Sequence, residues 1–152
     1  MSLTLVRDIA ASHKGQRGAL LPILHAVQEA LGCVPPEAIP VLADELNLSR
    51  ADVHGVVSFY HDFRSTPAGR TTVRLCRGEA CQAVGAERLV KHLQDSRGMS
   101  LGETSIDGAV TVEQVFCLGN CALGPAAQVN GRLRGRLDES RLSAIIDEAV
   151  AQ

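Results

Sequence analysis

The sequence predicts an α/β (α+β) chain, in which an N-terminal helical bundle is followed by a four-stranded sheet with flanking helices. Three observations carry this. Apolar residues in the first sixty or so positions recur at helical spacing. Past Ser65-Thr66-Pro67-Ala68-Gly69, a stretch with the composition of a turn or linker, the pattern switches to short alternating, β-prone runs. Asn130-Gly131 then separates two such runs, the strongest two-residue hairpin signal available. At 152 residues the chain has room for one ordinary domain or two small ones. The switch divides it into a helical region, 1–66, and a sheet domain, 67–152.

The elements follow in order. Leu5 and Ile9 suggest a short opening helix. Leu20, Leu24, Val27 and Leu31 keep one face over three turns, and Gly32 stops that helix. Cys33 follows and reads as a small buried apolar residue. Pro35-Pro36 leads to a helix beginning near Pro40, whose missing N–H is harmless in a first turn. Val41, Leu42 and Leu46 face inward there. Ser49, with Asp52 three residues on, is the N-cap of a helix carrying Val53, Val56, Val57 and Tyr60. Phe59, Tyr60 and Phe63 are three of the chain's four aromatics and read as a core plug or domain junction.

Thr71 to Leu75 is the first strand and Ala86 to Leu93 the next helix. Arg97 to Gly108, polar and Gly-rich, is a loop. Ala109 to Phe116 is a second strand, and Ala126–Val129 with Arg132–Leu137 a hairpin. Leu142, Ile145, Ile146 and Val150 mark a closing amphipathic helix. A four-stranded sheet with helices packed against it accommodates this order, and thioredoxin-like domains are one such solution.

Composition bounds the function. A hydrophobic fraction of 45% is ordinary for a globular protein, and with 3% aromatics and no Trp the core rests on Ala, Leu and Val. A formal charge of -2 gives no reason to expect nucleic acid or an anionic membrane as partner. Arg7, Asp8, His13 and Lys14 interrupt the N-terminal stretch, so no secretory signal is visible. No apolar run approaches the roughly 18 residues of a spanning helix.

The chemistry gathers in two cysteine pairs, Cys76-Arg77-Gly78-Glu79-Ala80-Cys81 and Cys117-Leu118-Gly119-Asn120-Cys121. Spacing of this kind lets each pair chelate one metal atom. It leaves a four-thiolate zinc site and a [2Fe–2S] cluster equally open, with a disulfide or unligated cysteines as the third alternative. Gly78, Gly119 and Gly124 free the backbone to approach a ligand closely, or simply serve tight turns. Leu75, Ala80, Phe116, Leu118, Ala122, Leu123 and Pro125 are expected to form a largely apolar shell. That shell favours an electron carrier without excluding a zinc knuckle. Both pairs fall in loops that follow strands, where ligands are usually placed. Five cysteines, four of them paired as ligands would be, fit a reducing cytoplasm better than a secreted disulfide framework.

Other chemistries lack their parts. There is no G-x-G-x-x-G, P-loop, H-E-x-x-H or G-x-S-x-G. No C-x-x-C occurs, which disfavours a thioredoxin-type dithiol catalyst. The five histidines show no motif spacing with the cysteines, although His54 and His61 share a face if both are helical. Arg132, Arg134 and Arg136 alternate along a strand and so share one face, a solvated surface or a docking surface for an acidic partner. Arg74 and Arg77 are candidates to offset charge at the site.

Taken together, these residues resemble a known family. Val34-Pro35-Pro36-Glu37-Ala38-Ile39, Val53-His54-Gly55-Val56-Val57-Ser58-Phe59-Tyr60, both cysteine segments, Asp107-Gly108 and Val129-Asn130-Gly131 are similar to the 24-kDa-type [2Fe–2S] subunit of NADH dehydrogenases. Relatives of that subunit occur in soluble NAD-dependent formate dehydrogenases and NAD(P)-linked hydrogenases. The likeness runs from about Leu20 to the C-terminus. It implies a thioredoxin-like ferredoxin with a helical N-terminal extension, in which Cys76, Cys81, Cys117 and Cys121 bind one [2Fe–2S] cluster. It further implies docking against a flavoprotein subunit that holds FMN and handles NAD(H), within a larger dehydrogenase complex.

Gly124-Pro125 and Phe116 depart from many relatives, which have Ala-Pro and Glu there. The Cys117 to Pro125 run and the compact length look closest to the gamma subunit of a soluble formate dehydrogenase. The expectation is an electron-transfer subunit of an oxidoreductase, cytoplasmic, with no substrate site of its own. A structural four-cysteine zinc module and a thiol-based redox enzyme are the rivals.

Overall fold

A computed structural model describes residues 3–151 of the chain. They form two compact units, Met1–Pro67 and Ala68–Gln152, each with its own apolar core.

The first unit is helical: α1 (Leu3–Ser12), α2 (Leu20–Leu31), α3 (Ala38–Leu46) and α4 (Arg50–Phe59). In α1 the residues that bury are Val6 and Ala10, one step from the expected Leu5, which is exposed, and Ile9, which is only partly covered. Gly32 ends α2 in the left-handed conformation (φ 77°), donating its N–H to the Gln28 carbonyl, the usual role of glycine at a helix end. Ser49 and Asp52 form a reciprocal capping box at α4. The Asp52 N–H donates to Ser49 Oγ at 3.0 Å, and the Ser49 N–H to Asp52 Oδ2 at 3.3 Å.

The expected aromatic plug reduces to one ring. Phe63 is buried, 5.0 Å from the His25 ring, whereas Phe59 is 73% exposed and Tyr60 half exposed. The physical reason is where α4 stops. Tyr60 is already extended (φ -88°, ψ 108°), so the helical periodicity that would turn its ring inward is lost, and Phe59 is the last residue of the helix. For the same reason His61, beyond the helix, does not share a helical face with His54.

The second unit contains β1 (Thr71–Cys76), α5 (Glu79–Ala83), α6 (Ala86–Arg97), β2 (Glu103–Thr104), β3 (Val110–Val115), β4 (Ala127–Val129), β5 (Arg132–Arg134) and α7 (Glu139–Val150). The sheet has five strands, ordered β2-β3-β1-β4-β5, not four. The extra strand, β2, is two residues long and sits in the stretch expected to be loop. β1 and β3 run parallel, with Cys76 opposite Val115; the other pairings are antiparallel.

Val73, Val110 and Val112 of the sheet pack against Leu89 and Leu93 of α6 and Leu142 and Ile146 of α7. Asn130 (φ 45°) and Gly131 (φ 81°) make the two-residue turn joining β4 to β5, both in the left-handed region that this turn requires. β5 ends at Arg134. Arg136 lies past the strand at φ 51°, so the three arginines do not share one strand face.

Candidate metal centre

Cys76 is the last residue of β1, and Cys117 follows β3 by two. Because the strands are parallel, both cysteine segments leave the sheet at the same end. Backbone bonds tie them there. The Cys76 N–H donates to the Ala126 carbonyl at 2.9 Å and the Arg77 N–H to the Val115 carbonyl at 2.8 Å.

Cys81 enters by a short helix that the sequence pattern does not announce. Gly78 is the N-cap of α5, and its carbonyl accepts the N–H groups of Cys81 (2.9 Å) and Gln82 (3.0 Å). Five residues carry too little periodicity to be read as a helix, although a glycine followed by an acidic residue in the first turn was the available signal.

The second segment is tighter still. Cys117 itself has φ 101°, and a 3-10 turn spans Cys121–Leu123. The Gly119 N–H donates to Cys117 Sγ at 3.3 Å, and the sulfurs of Cys117 and Cys121 stand 3.8 Å apart. Behind this turn, the Arg136 N–H bonds the Leu123 carbonyl (2.6 Å) and the Leu137 N–H the Pro125 carbonyl (2.9 Å). Gly135 packs so closely that a Cβ there would meet the Leu123 carbonyl oxygen at 2.8 Å, so the chain after β5 braces the loop only because this residue is glycine.

The two pairs differ in surroundings. Cys76 and Cys81 are buried, together with Ala86 and Ala126 and flanked by Val115 and Leu118. Cys117 and Cys121 are exposed. The expected apolar shell therefore closes on one side only. Leu118 belongs to it, but Leu75 points into the sheet core, and Ala80, Phe116, Ala122 and Leu123 face solvent. For Leu75 and Ala80 strand and helix periodicity explain this, since neighbours of an inward residue point elsewhere.

Electrostatics follow burial and hydrogen bonding. Burial alone would push the Cys76 thiol up. The backbone N–H groups of Gly78, Leu118 and Cys117, together with the Cys81 side chain, more than offset this and hold it below the ordinary range. Cys81 is pushed up by burial and by its bond with Cys76, against a backbone bond from Ala126. Cys121 is pushed up by its contact with Cys117. The arginines expected to offset charge here are engaged elsewhere. Arg77 holds Glu87 with two bonds, 2.8 and 3.0 Å, and Gln114 with a third at 2.9 Å; Arg74 pairs with Glu113 at 3.1 Å.

Four thiols in two pairs, with N–H donors aimed at sulfur, fit a thiolate-bound iron–sulfur group. Among the described residues, no three His, Cys, Asp or Glu side chains gather as a site for a single metal ion. No helix among them is long and apolar enough to cross a membrane.

Residues 6–150 match the family described as thioredoxin-like [2Fe-2S] ferredoxin. The chain belongs to that family. The family's cofactor is a [2Fe–2S] cluster.

The chain is 36% identical over 142 residues to a subunit of the NADH-quinone oxidoreductase of Rhizobium meliloti (strain 1021), a match covering 93% of this chain and 84% of that one. It is 31% identical over 133 residues to the HndA subunit of the NADP-reducing hydrogenase of Solidesulfovibrio fructosivorans, covering 88% and 78%. Its backbone is similar to part of an NAD+-reducing [NiFe]-hydrogenase crystal structure, with a TM-score of 0.72, 29% identity and 88% of this chain covered. The chain spans 23% of that hydrogenase chain.

Proposed function

We propose that Cys76, Cys81, Cys117 and Cys121 hold one [2Fe–2S] cluster, and that the chain is an electron-transfer subunit of an NAD-linked oxidoreductase complex. The observation that carries this is the delivery of two thiol pairs to one end of the parallel β1–β3 pair, in a member of a [2Fe–2S] ferredoxin family. The bound cluster supplies reversible one-electron chemistry. The chain's own part is positional. Backbone N–H groups of Gly78, Cys117, Leu118 and Gly119 stabilise negative charge on sulfur, and the buried pair excludes water from one side. No residue acts as acid, base or nucleophile.

Iron and acid-labile sulfide assays on anaerobically purified protein test this reading, with visible and EPR spectra before and after dithionite. About two irons and two sulfides per chain, with an EPR signal only on reduction, are expected. Cys117→Ala should abolish normal assembly; full retention of both signals in that variant would overturn the ligand set. Zinc in place of iron would identify the structural module instead.

The parent assembly is the finer part of the proposal: an NAD-dependent formate dehydrogenase, in which a flavoprotein subunit with FMN and NAD(H) meets this chain. The support is the Cys117 to Pro125 run. The relatives named above are subunits of an NADH-quinone oxidoreductase and of hydrogenases, the alternative parents. Native purification followed by NAD+ reduction assays separates them. Formate as donor is the expected result, and activity with hydrogen, or NADH oxidation by quinone alone, would replace the formate assignment.

A further inference from the structure

Away from the cysteines, edge strand β5 and helix α7 enclose a groove of about 330 Å³. Its lining includes Arg132, Arg134, Asn130, Ile145 and Glu148. Arg132 and Arg134 are both exposed, and no ion pair or hydrogen bond engages either side chain among the described residues. That sets them apart from Arg74, Arg77, Arg97 and Arg141, each of which has an acidic partner in the same unit.

The backbone beside them is open as well. A two-residue turn makes Val129 and Arg132 the pair that exchanges hydrogen bonds. Leu133, opposite Gln128, is therefore in a non-bonded position of that ladder, and its N–H and C=O point away from β4. β5 is the last strand of the sheet, so no strand takes them up.

We propose that the β5 edge receives an extended acidic segment of a partner polypeptide. Arg132 and Arg134, at i and i+2, project from one strand face with their Cα atoms about 7 Å apart. Carboxylates two residues apart on an added strand have the same spacing, so the charges meet in register while Leu133 supplies the main-chain bonds. The same arginines exclude a second copy of this chain, because edge-to-edge pairing would set like charges together. Glu148, the acidic residue of the groove, opposes the incoming carboxylates and keeps the site selective for a segment that reaches both arginines. This goes beyond the cluster assignment and does not rest on it.

The probe is a fluorescein-labelled peptide of alternating Glu and Thr, presented to the complete cluster-loaded chain. Binding is read by anisotropy, and amide protection at residues 130–135 by hydrogen–deuterium exchange. Slower exchange at Leu133 on binding is expected, together with an affinity loss of at least about tenfold in R132S/R134S. Circular dichroism and iron content should be unchanged in that variant. Three results would each overturn the proposal: an isomeric peptide with its Glu residues in one block binding equally well, unchanged exchange at Leu133 at saturating peptide, or duplex DNA binding more tightly than the peptide.

Discussion

A Cβ on Gly124 would stand 3.3 Å from the sulfur of Cys81 and 3.0 Å from a methyl of Val84. The glycine thus leaves open the space beside a buried sulfur. Val84 is half exposed and can swing aside, so Gly124→Ala should fold with a loss below about 1.5 kcal/mol. The added methyl then sits against sulfur, and the reduction potential should move while iron content holds. Gly124→Val adds bulk the pocket cannot take and should retain less than about half the iron. Potentiometric titration and iron assay read the two effects separately. An unshifted potential in the alanine variant would show that Gly124 serves only the turn.

Cys33 tests the assignment from the opposite side. It is 5% exposed, and its thiol is pushed up by burial and by the charge of Glu37. A thiol held neutral in an apolar setting is packing material. Cys33→Ser should cost about 1–3 kcal/mol by burying an unpaired hydroxyl, as urea unfolding would report, with iron and sulfide unchanged. Cluster loss at equal stability would contradict that role.

Much of this was legible in the sequence because the signals were local. Ser49 with Asp52, Gly32 after Leu31 and Asn130-Gly131 each announce a hydrogen-bonding requirement that the backbone then meets. What sequence could not supply was set by partners distant in the chain. Residues 103–104 become a strand only because Val112 and Thr111 lie opposite them. Arg77 looked free for the site until folding brought Glu87 and Gln114 to it. The four cysteines could be named in sequence, but not that one pair would be buried and the other exposed. That depends on which loop α6 covers.

Arg77 joins β1 to α6 through Glu87 and to β3 through Gln114. Both ionic partners are partly exposed, so solvent screens the pair. Arg77→Ala should cost only about 0.5–1 kcal/mol in chemical denaturation, with an unchanged visible spectrum. Arg77→Lys should restore little of that, because one ammonium cannot reproduce the fork that spans both partners.

Asp138 caps α7. It accepts the Arg141 N–H at 2.8 Å and the Ser140 hydroxyl at 2.7 Å, and these bonds hold its carboxyl below the usual range. A carboxyl depressed in the folded state contributes stability fully above its unfolded value, about 4, and loses it as pH falls through the lower folded value. Asp138→Asn keeps a capping side chain and removes the titration. The gap in Tm between wild type and this variant should therefore shrink below about pH 4. A gap constant down to pH 2 would mean that the charge contributes nothing.

The common exit of the two cysteine segments from β1 and β3 has a mechanical consequence. A group bonded to all four sulfurs acts as a cross-link between segments far apart in the chain. Closing a loop of that size removes roughly 3–4 kcal/mol of freedom from the denatured ensemble. The Cys117–Cys121 turn is otherwise held by a few main-chain bonds at the surface, whereas the strands beneath it are buried in the sheet core. Oxidative loss of iron would then release this corner first and leave the sheet and helices standing.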